Sequence, residues 1–425
     1  MIYTILAPLN VRTHIQLPAS KSISNRVLIL NALSKSVYPV ENLSCCNDTQ
    51  VMLKALEQNY SQIDIGASGT SMRFLTAYLS QLPGEYTITG TERMQNRPIG
   101  ILKEALCQLG AEIDYLGKAG YPPLKIKGKS LTGGEIHLKG NVSSQYISAL
   151  MMIAPHMKKG LVIRLEGSII SRPYLAMTAR LMENFGIKVD WQGSVIRIEN
   201  QSYQAKPFKV EADWSAASYW YEIASLCKEN TSIKLFGLEP DSIQGDSGVS
   251  RLFAKLGINT GFISDCNELN PPLLADTAVL LKKMQLGSEM TSNVKLNWDF
   301  IDIPDLAQTV VVTCCLLNIP FRFTGLESLR IKETDRIAAL RQELKKLGYI
   351  IRTESHGIIE WAGEKISPER DPVIFTYEDH RMAMAFAPVC LLTQAIKIKN
   401  PEVVSKSYPN FWHDLERAGF LIREN

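Results

Sequence analysis

The stretch LMENFGIKV, Leu181–Val189, decides the fold. Apolar residues end a helix at Phe185, Gly186 follows, and a strand-like tail begins. Glycine suits that junction because it takes positive φ without a Cβ clash. The same signal stands in LCQLGAEI (106–113), LFAKLGINT (252–260), LKKLGYII (344–351) and LERAGFLI (415–422). A weaker copy, Leu53–Ile65, carries Asn59 in the glycine's place. One such pattern is only a helix stop. Five at comparable spacing imply about six repeated α/β modules of roughly 71 residues each.

The helices between these stops set the layering. Met72–Leu82, Tyr146–Pro155 and Met382–Leu392 are apolar almost all round, so they belong in an interior rather than on a surface. Helices in the middle with sheets outside invert the usual α/β order. The pattern breaks near Thr231–Gln244, where the turn-rich GLEPDS intervenes. Three modules per domain, with the crossover there, is the natural grouping.

Composition narrows the function. With 425 residues, 45% apolar and 21% charged, the chain is globular and long enough for two or three domains. A net charge of +3 is too mild to imply nucleic acid or a membrane surface as partner. The eight cysteines form no C-x-x-C pair, and Cys314 and Cys315 lie in the apolar run Val310–Leu317. Reduced thiols in a cytoplasmic protein are expected. The opening MIYTILAPLN lacks the basic start of a signal peptide, and Ala383–Leu392 is about half a membrane span.

Chemistry gathers where helices begin. ASKSISNR (19–26), GASGTSMR (66–73), NVSSQ (141–145), SRPY (171–174), KETDR (332–336) and YEDHR (377–381) each precede a helical run. Their Ser, Thr and Asp are good N-caps. Capping does not explain the Lys21, Arg26, Arg73, Lys332, Arg336 and Arg381 that accompany them, because a cation is unfavourable at the positive end of a helix dipole. A bound anion resolves the conflict. The glycines of a P-loop are missing from ASKS, which excludes nucleotide triphosphate binding there. No His, Cys or carboxylate spacing suggests a metal.

Taken in order, these motifs resemble the 5-enolpyruvylshikimate-3-phosphate synthase family of enolpyruvyl transferases. RMQNRPI (93–99), SIQGD (242–246), IPDLA (303–307), EDHRMAMAF (378–386) and SKSYPNF (405–411) extend the match over nearly the whole chain. The resemblance implies an inside-out α/β barrel in each of two similar domains, three βαβαββ units apiece, with buried parallel helices and outer sheets. The expected domains are an inserted one over 12–235 and a second one over 1–11 plus 236–425, with the active site in the cleft between them. It implies transfer of the enolpyruvyl group of phosphoenolpyruvate to the 5-hydroxyl of shikimate 3-phosphate in aromatic amino-acid biosynthesis, with phosphate released. No metal or organic cofactor is expected, and the enzyme is expected to be a monomer. Shikimate 3-phosphate is assigned to Lys21, Ser22, Arg26, Ser143, Ser144, Gln145, Ser171, Tyr174, Asp305 and Lys332. Phosphoenolpyruvate is assigned to Lys21, Gly69 through its backbone N–H, Arg97, Gln145, Arg336, Arg381 and Lys406. Asp305 is the expected base, with Lys21 and Glu333 for the other proton transfers. Ala67, Phe74 and Ser328 stand where the family often has Asn, Pro and Asn.

The charges are consistent with that assignment. Each substrate carries a phosphate and a carboxylate, about five negative charges in all, which the assigned Lys and Arg can meet. The sister transferase acting on UDP-N-acetylglucosamine usually has a Cys before the arginine matching Arg97, and Gly90–Asn96 contains none. A binding relative without activity is disfavoured by Lys21, Asp305, Lys332, Glu333 and Arg381 together.

Overall fold

The chain's strands build sheets of one repeating topology. The computed structural model describes residues 1–57, 61–227, 231–263, 278–283 and 295–425, so Asn59 and Cys266 lie outside the described residues. Two compact units emerge, one of Met1–Pro18 with Glu211–Asn425 and the other of Ala19–Val210.

In the second unit, Gln62–Asp64 pairs in parallel with Gly84–Thr89, which pairs antiparallel with Leu124–Gly128, which pairs antiparallel with Glu112–Tyr115. Gly134–Lys139, Leu161–Glu166, Val195–Ile198 and Asp190–Gln192 repeat that order. Helices Gly69–Gln81, Gly100–Gln108, Ser144–Ile153 and Arg172–Asn184 make the crossovers, giving two βαβαββ modules. The third is reduced to helices Lys21–Leu33 and Asn47–Glu57 with the short parallel pair Val40–Glu41 and Phe208–Lys209.

The first unit contains three four-stranded sheets of the same topology. In one, Arg12–Gln16 pairs in parallel with Ser232–Phe236, register Ser232 to Arg12. This pairing corrects the expected boundaries. Residues 12–18 and 211–235 belong to the first unit, because the chain leaves a sheet after its first strand and returns to supply the second. Another sheet is closed by the two chain ends, Ile2–Leu6 lying between Ala395–Lys399 and Leu421–Glu424.

The repeat glycines end helices as expected. Gly110, Gly186, Gly257, Gly348 and Gly419 all have positive φ. After four of them the next N–H reaches five residues back, as from Ile187 to the Met182 carbonyl at 3.0 Å and from Phe420 to that of Leu415 at 3.1 Å. That bond seals a helix end. The interior helices are buried all round: every residue of Ala307–Leu316 is buried, as are Tyr146–Ile153. Hydroxyls inside them bond to their own backbone, Thr76 Oγ1 to the Met72 carbonyl and Ser80 Oγ to that of Thr76, both at 2.6 Å. Strands alternate instead, as in the buried and exposed residues of Leu124–Gly128, so each sheet turns one face to solvent.

Candidate active site

In the second unit, side chains from the second turns of three helices meet. The Arg26 guanidinium donates through Nε to Thr178 Oγ1 at 2.7 Å, through Nη2 to Ser148 Oγ at 3.2 Å and through Nη1 to the Ser22 carbonyl at 2.9 Å. Its Cζ also lies 5.3 Å from the centre of the Phe74 ring, which gives the unusual Phe74 a packing role. Burial brings the Arg26 pKa down to about 10, and the nearby Tyr174 opposes the shift. Its hydrogen bonds engage three of the five guanidinium N–H groups.

A fourth helix joins through Gln145, whose Nε2 donates to Thr70 Oγ1 at 3.1 Å. Lys21 opens its helix behind the N-cap Ser20, with Nζ 3.5 Å from Asp48 Oδ2. Ser143 and Ser171 occupy N-cap positions without a side-chain capping bond. Ser171 has φ 54°, a left-handed conformation unusual for serine. Ser144 and Tyr174 sit in the first turns that follow.

Gly69 lies close beneath two guanidinium groups. A Cβ on it would lie 2.5 Å from Nη1 of both Arg73 and Arg97. Arg73 also donates to the Gly69 carbonyl at 2.7 Å and to that of Pro98 at 3.4 Å. Tyr146 Oη donates to the same Pro98 carbonyl at 2.6 Å, fixing the segment that carries Arg97. Arg97 therefore lies against the N-terminal turn at Gly69.

The first unit repeats this convergence with charges paired. Asp305 lies in the turn Pro304–Leu306, just before helix Ala307–Leu316. Its Oδ1 is 2.9 Å from Arg336 Nη1 and 3.4 Å from Lys332 Nζ, and its Oδ2 is 3.5 Å from Arg381 Nη2. The Asp305 carbonyl accepts from Arg381 Nη1 at 3.0 Å. Burial alone would raise the Asp305 pKa, but Lys332, Arg381 and Arg336 hold it well below the ordinary carboxylate range. Glu333 bridges Arg336 Nη2 at 2.9 Å and Lys406 Nζ at 3.1 Å.

Two further carboxylates were not singled out by sequence reasoning. Asp379 caps helix His380–Phe386 by accepting from the Arg381 N–H at 2.9 Å, and it also receives Arg336 Nε at 2.7 Å. Asp246 accepts from Ser215 Oγ, and Ser215 Oγ accepts from Arg381 Nη2 at 3.3 Å. Burial raises Asp246 to about 6 against the pull of Arg381. The expected concentration of cations is therefore balanced here, with Asp246, Asp305, Glu333 and Asp379 facing Lys332, Arg336, Arg381 and Lys406. The signal for Asp379 was its cap position in YEDHR, and that for Asp246 was the SIQGD motif.

Among the described residues no group of His, Cys, Asp and Glu is arranged to hold a metal ion, and no helix is long and apolar enough to cross a membrane. The arrangement can bind anions at helix starts and can hold an ionised carboxylate within reach of several cations.

A family model described as EPSP synthase (3-phosphoshikimate 1-carboxyvinyltransferase) matches residues 6–60 and 56–415. The 3-phosphoshikimate 1-carboxyvinyltransferase of Bacteroides fragilis (strain YCH46) is 55% identical over 424 residues, covering 100% of this chain and 99% of its relative. That of Burkholderia lata is 34% identical, covering 94% of each. Among solved structures, EPSP synthase from Acinetobacter baumannii aligns with a TM-score of 0.77 at 21% identity, covering 100% of both chains.

Proposed function

The chain belongs to the EPSP synthase family, and we propose that its two helix-end clusters serve the reaction by which it transfers the enolpyruvyl group of phosphoenolpyruvate to the 5-hydroxyl of shikimate 3-phosphate, releasing phosphate. The carrying observation is Asp305, a carboxylate held ionised by Lys332, Arg381 and Arg336.

The pairing of Asp305 supports a base that substrate switches on. Surrounded by cations, its carboxylate is a weak base. Phosphate and carboxylate groups arriving at Lys332, Arg336 and Arg381 draw that positive potential away and raise its basicity. Asp305 then accepts the 5-hydroxyl proton as the oxygen attacks C2 of phosphoenolpyruvate, while an acid protonates the methylene carbon. The tetrahedral intermediate loses phosphate as a methyl proton leaves, restoring the enol. Lys21 and Glu333 are assigned to these later transfers.

Substrate contacts are divided by chemistry. Lys21, Ser22, Arg26, Ser143, Ser144, Gln145, Ser171, Tyr174, Asp305 and Lys332 take shikimate 3-phosphate. Lys21, Gly69, Arg97, Gln145, Arg336, Arg381 and Lys406 take phosphoenolpyruvate. Arginine suits both anions because its planar donors engage two oxygens at once. We further read the enzyme as a cytoplasmic monomer acting on small molecules alone.

The test is phosphate release from phosphoenolpyruvate with shikimate 3-phosphate or UDP-N-acetylglucosamine as acceptor. Release with the first alone is expected. Release only with the second, or with neither in folded protein, would overturn the reading.

A further inference from the structure

The SIQGD segment has no place in the contacts assigned so far, yet it is tightly built into the first unit. Gln244 donates to the Ala212 carbonyl at 2.7 Å and accepts from the Trp214 N–H at 3.2 Å. This clamps the segment to the start of helix Trp214–Leu226. Ser242 Oγ accepts from the Gln244 N–H at 3.0 Å. Asp246, two residues on, is buried and receives the hydroxyl of Ser215.

The direction of that contact is fixed by chemistry. A guanidinium has only donors, so Arg381 Nη2 must donate to Ser215 Oγ, and the serine's single proton then goes to Asp246 Oδ2. The order is Arg381 to Ser215 to Asp246. The hydroxyl is not needed to cap its helix, because Asp213 already does so by accepting from the Ser215 N–H at 2.8 Å. On its other nitrogen Arg381 is fixed by the Asp305 carbonyl. Nη2 also lies 3.5 Å from Asp305 Oδ2, so the plane of the guanidinium is set by Asp305 on one side and by Ser215 on the other.

We propose that Ser215, held by Asp246, is a positioning residue that sets the plane of the Arg381 guanidinium for the reaction. The inference rests on Arg381 serving the substrates, as assigned above. A guanidinium aimed in advance loses less freedom when it takes an anion, so the benefit falls on substrate binding and on the reacting geometry.

The test is steady-state kinetics and thermal unfolding of the wild type, Ser215→Ala, Ser215→Thr, Arg381→Lys and the Ser215→Ala/Arg381→Lys double variant. Ser215→Ala is expected to raise KM for phosphoenolpyruvate about tenfold, the size of one hydrogen bond to a charged group. KM for shikimate 3-phosphate should stay within about twofold, and the unfolding midpoint should fall, because buried Asp246 loses the hydroxyl it accepts; threonine should restore it. Ser215→Thr restores the hydroxyl and should restore KM. In the Arg381→Lys background the loss of Ser215 should add little. An effect on shikimate 3-phosphate instead, still absent in the Arg381→Lys background, would support the positioning role while overturning the assignment of Arg381 to phosphoenolpyruvate. Unchanged kinetics in Ser215→Ala, no rescue by threonine, or independent effects in the double variant would overturn the proposal.

Discussion

Arg336 grips Asp379 at both carboxylate oxygens, Nε to Oδ2 at 2.7 Å and Nη2 to Oδ1 at 3.3 Å, and both side chains are nearly sealed from water. Burial disfavours the Arg336 charge, yet Asp379, Glu333 and Asp305 together raise its pKa above the ordinary arginine value. Removing Asp379 leaves the buried Arg336 Nε without its acceptor, while Glu333 and Asp305 still offset the charge. Asp379→Ala also removes the cap of helix His380–Phe386. We expect a loss of about 2 to 4 kcal/mol, one charged hydrogen bond and one helix cap, measured by denaturant unfolding. A loss below about 1 kcal/mol would show that water or another group satisfies Arg336.

Asp305→Asn keeps the shape of the side chain and removes its charge. As the base, Asp305 should be worth about 100-fold or more in turnover. Binding of shikimate 3-phosphate, followed by titration calorimetry, should survive. The depressed pKa of Asp305 places its protonation well below the neutral range. The loss in kcat/KM, which reports the free enzyme, should therefore be nearly uniform from about pH 6 to 9. Unchanged turnover would remove Asp305 from the role of base.

Asp246 links function to a stability cost. Burial raises its folded-state pKa to about 6, above the unfolded carboxyl value of about 3.9. The folded state thus binds the proton more tightly, and this stabilising contribution, present in full below about pH 4, is lost as pH rises through about 6. Asp246→Asn does not titrate. Its stability relative to the wild type should increase between about pH 4 and 7 by about 2 to 3 kcal/mol, read from urea unfolding at several pH values. A constant difference across that range would mean that Asp246 does not titrate there. The same variant should weaken the hold of Ser215 on Arg381.

The repeated glycines made much of the fold legible, because a helix stop is a local property of backbone and side chain. The chain crossing was less so. The signal at 231–244 marked a break in the pattern, whereas the first unit begins again at Glu211, a boundary set by the distant pairing of Arg12–Gln16 with Ser232–Phe236. The reduced module was hidden because strands of two residues, Val40–Glu41 and Phe208–Lys209, are too short to show alternation. At the candidate site the residue types were legible at helix starts, but their partners were not. Arg336 and Asp379 lie 43 positions apart, and nothing local to either predicts the pairing. Ser171 looked like an ordinary cap, and its left-handed backbone follows from its surroundings.

Gly69→Ala separates stability from binding at one position. The added methyl would come within 2.5 Å of the Arg73 and Arg97 guanidinium ends. These are the far ends of flexible side chains, so they can swing aside at little cost to the fold. Alanine also favours a helix more than glycine does, by up to about 1 kcal/mol, which offsets part of the strain. Unfolding stability should therefore change by less than about 1 kcal/mol. The displaced Arg97 should no longer meet phosphoenolpyruvate squarely, and the methyl would crowd the N–H of residue 69. KM for phosphoenolpyruvate is expected to rise about tenfold or more, while KM for shikimate 3-phosphate changes little. An equal rise for both substrates would mean that the whole helix start had moved. An unchanged KM for phosphoenolpyruvate would remove Gly69 and Arg97 from its binding site.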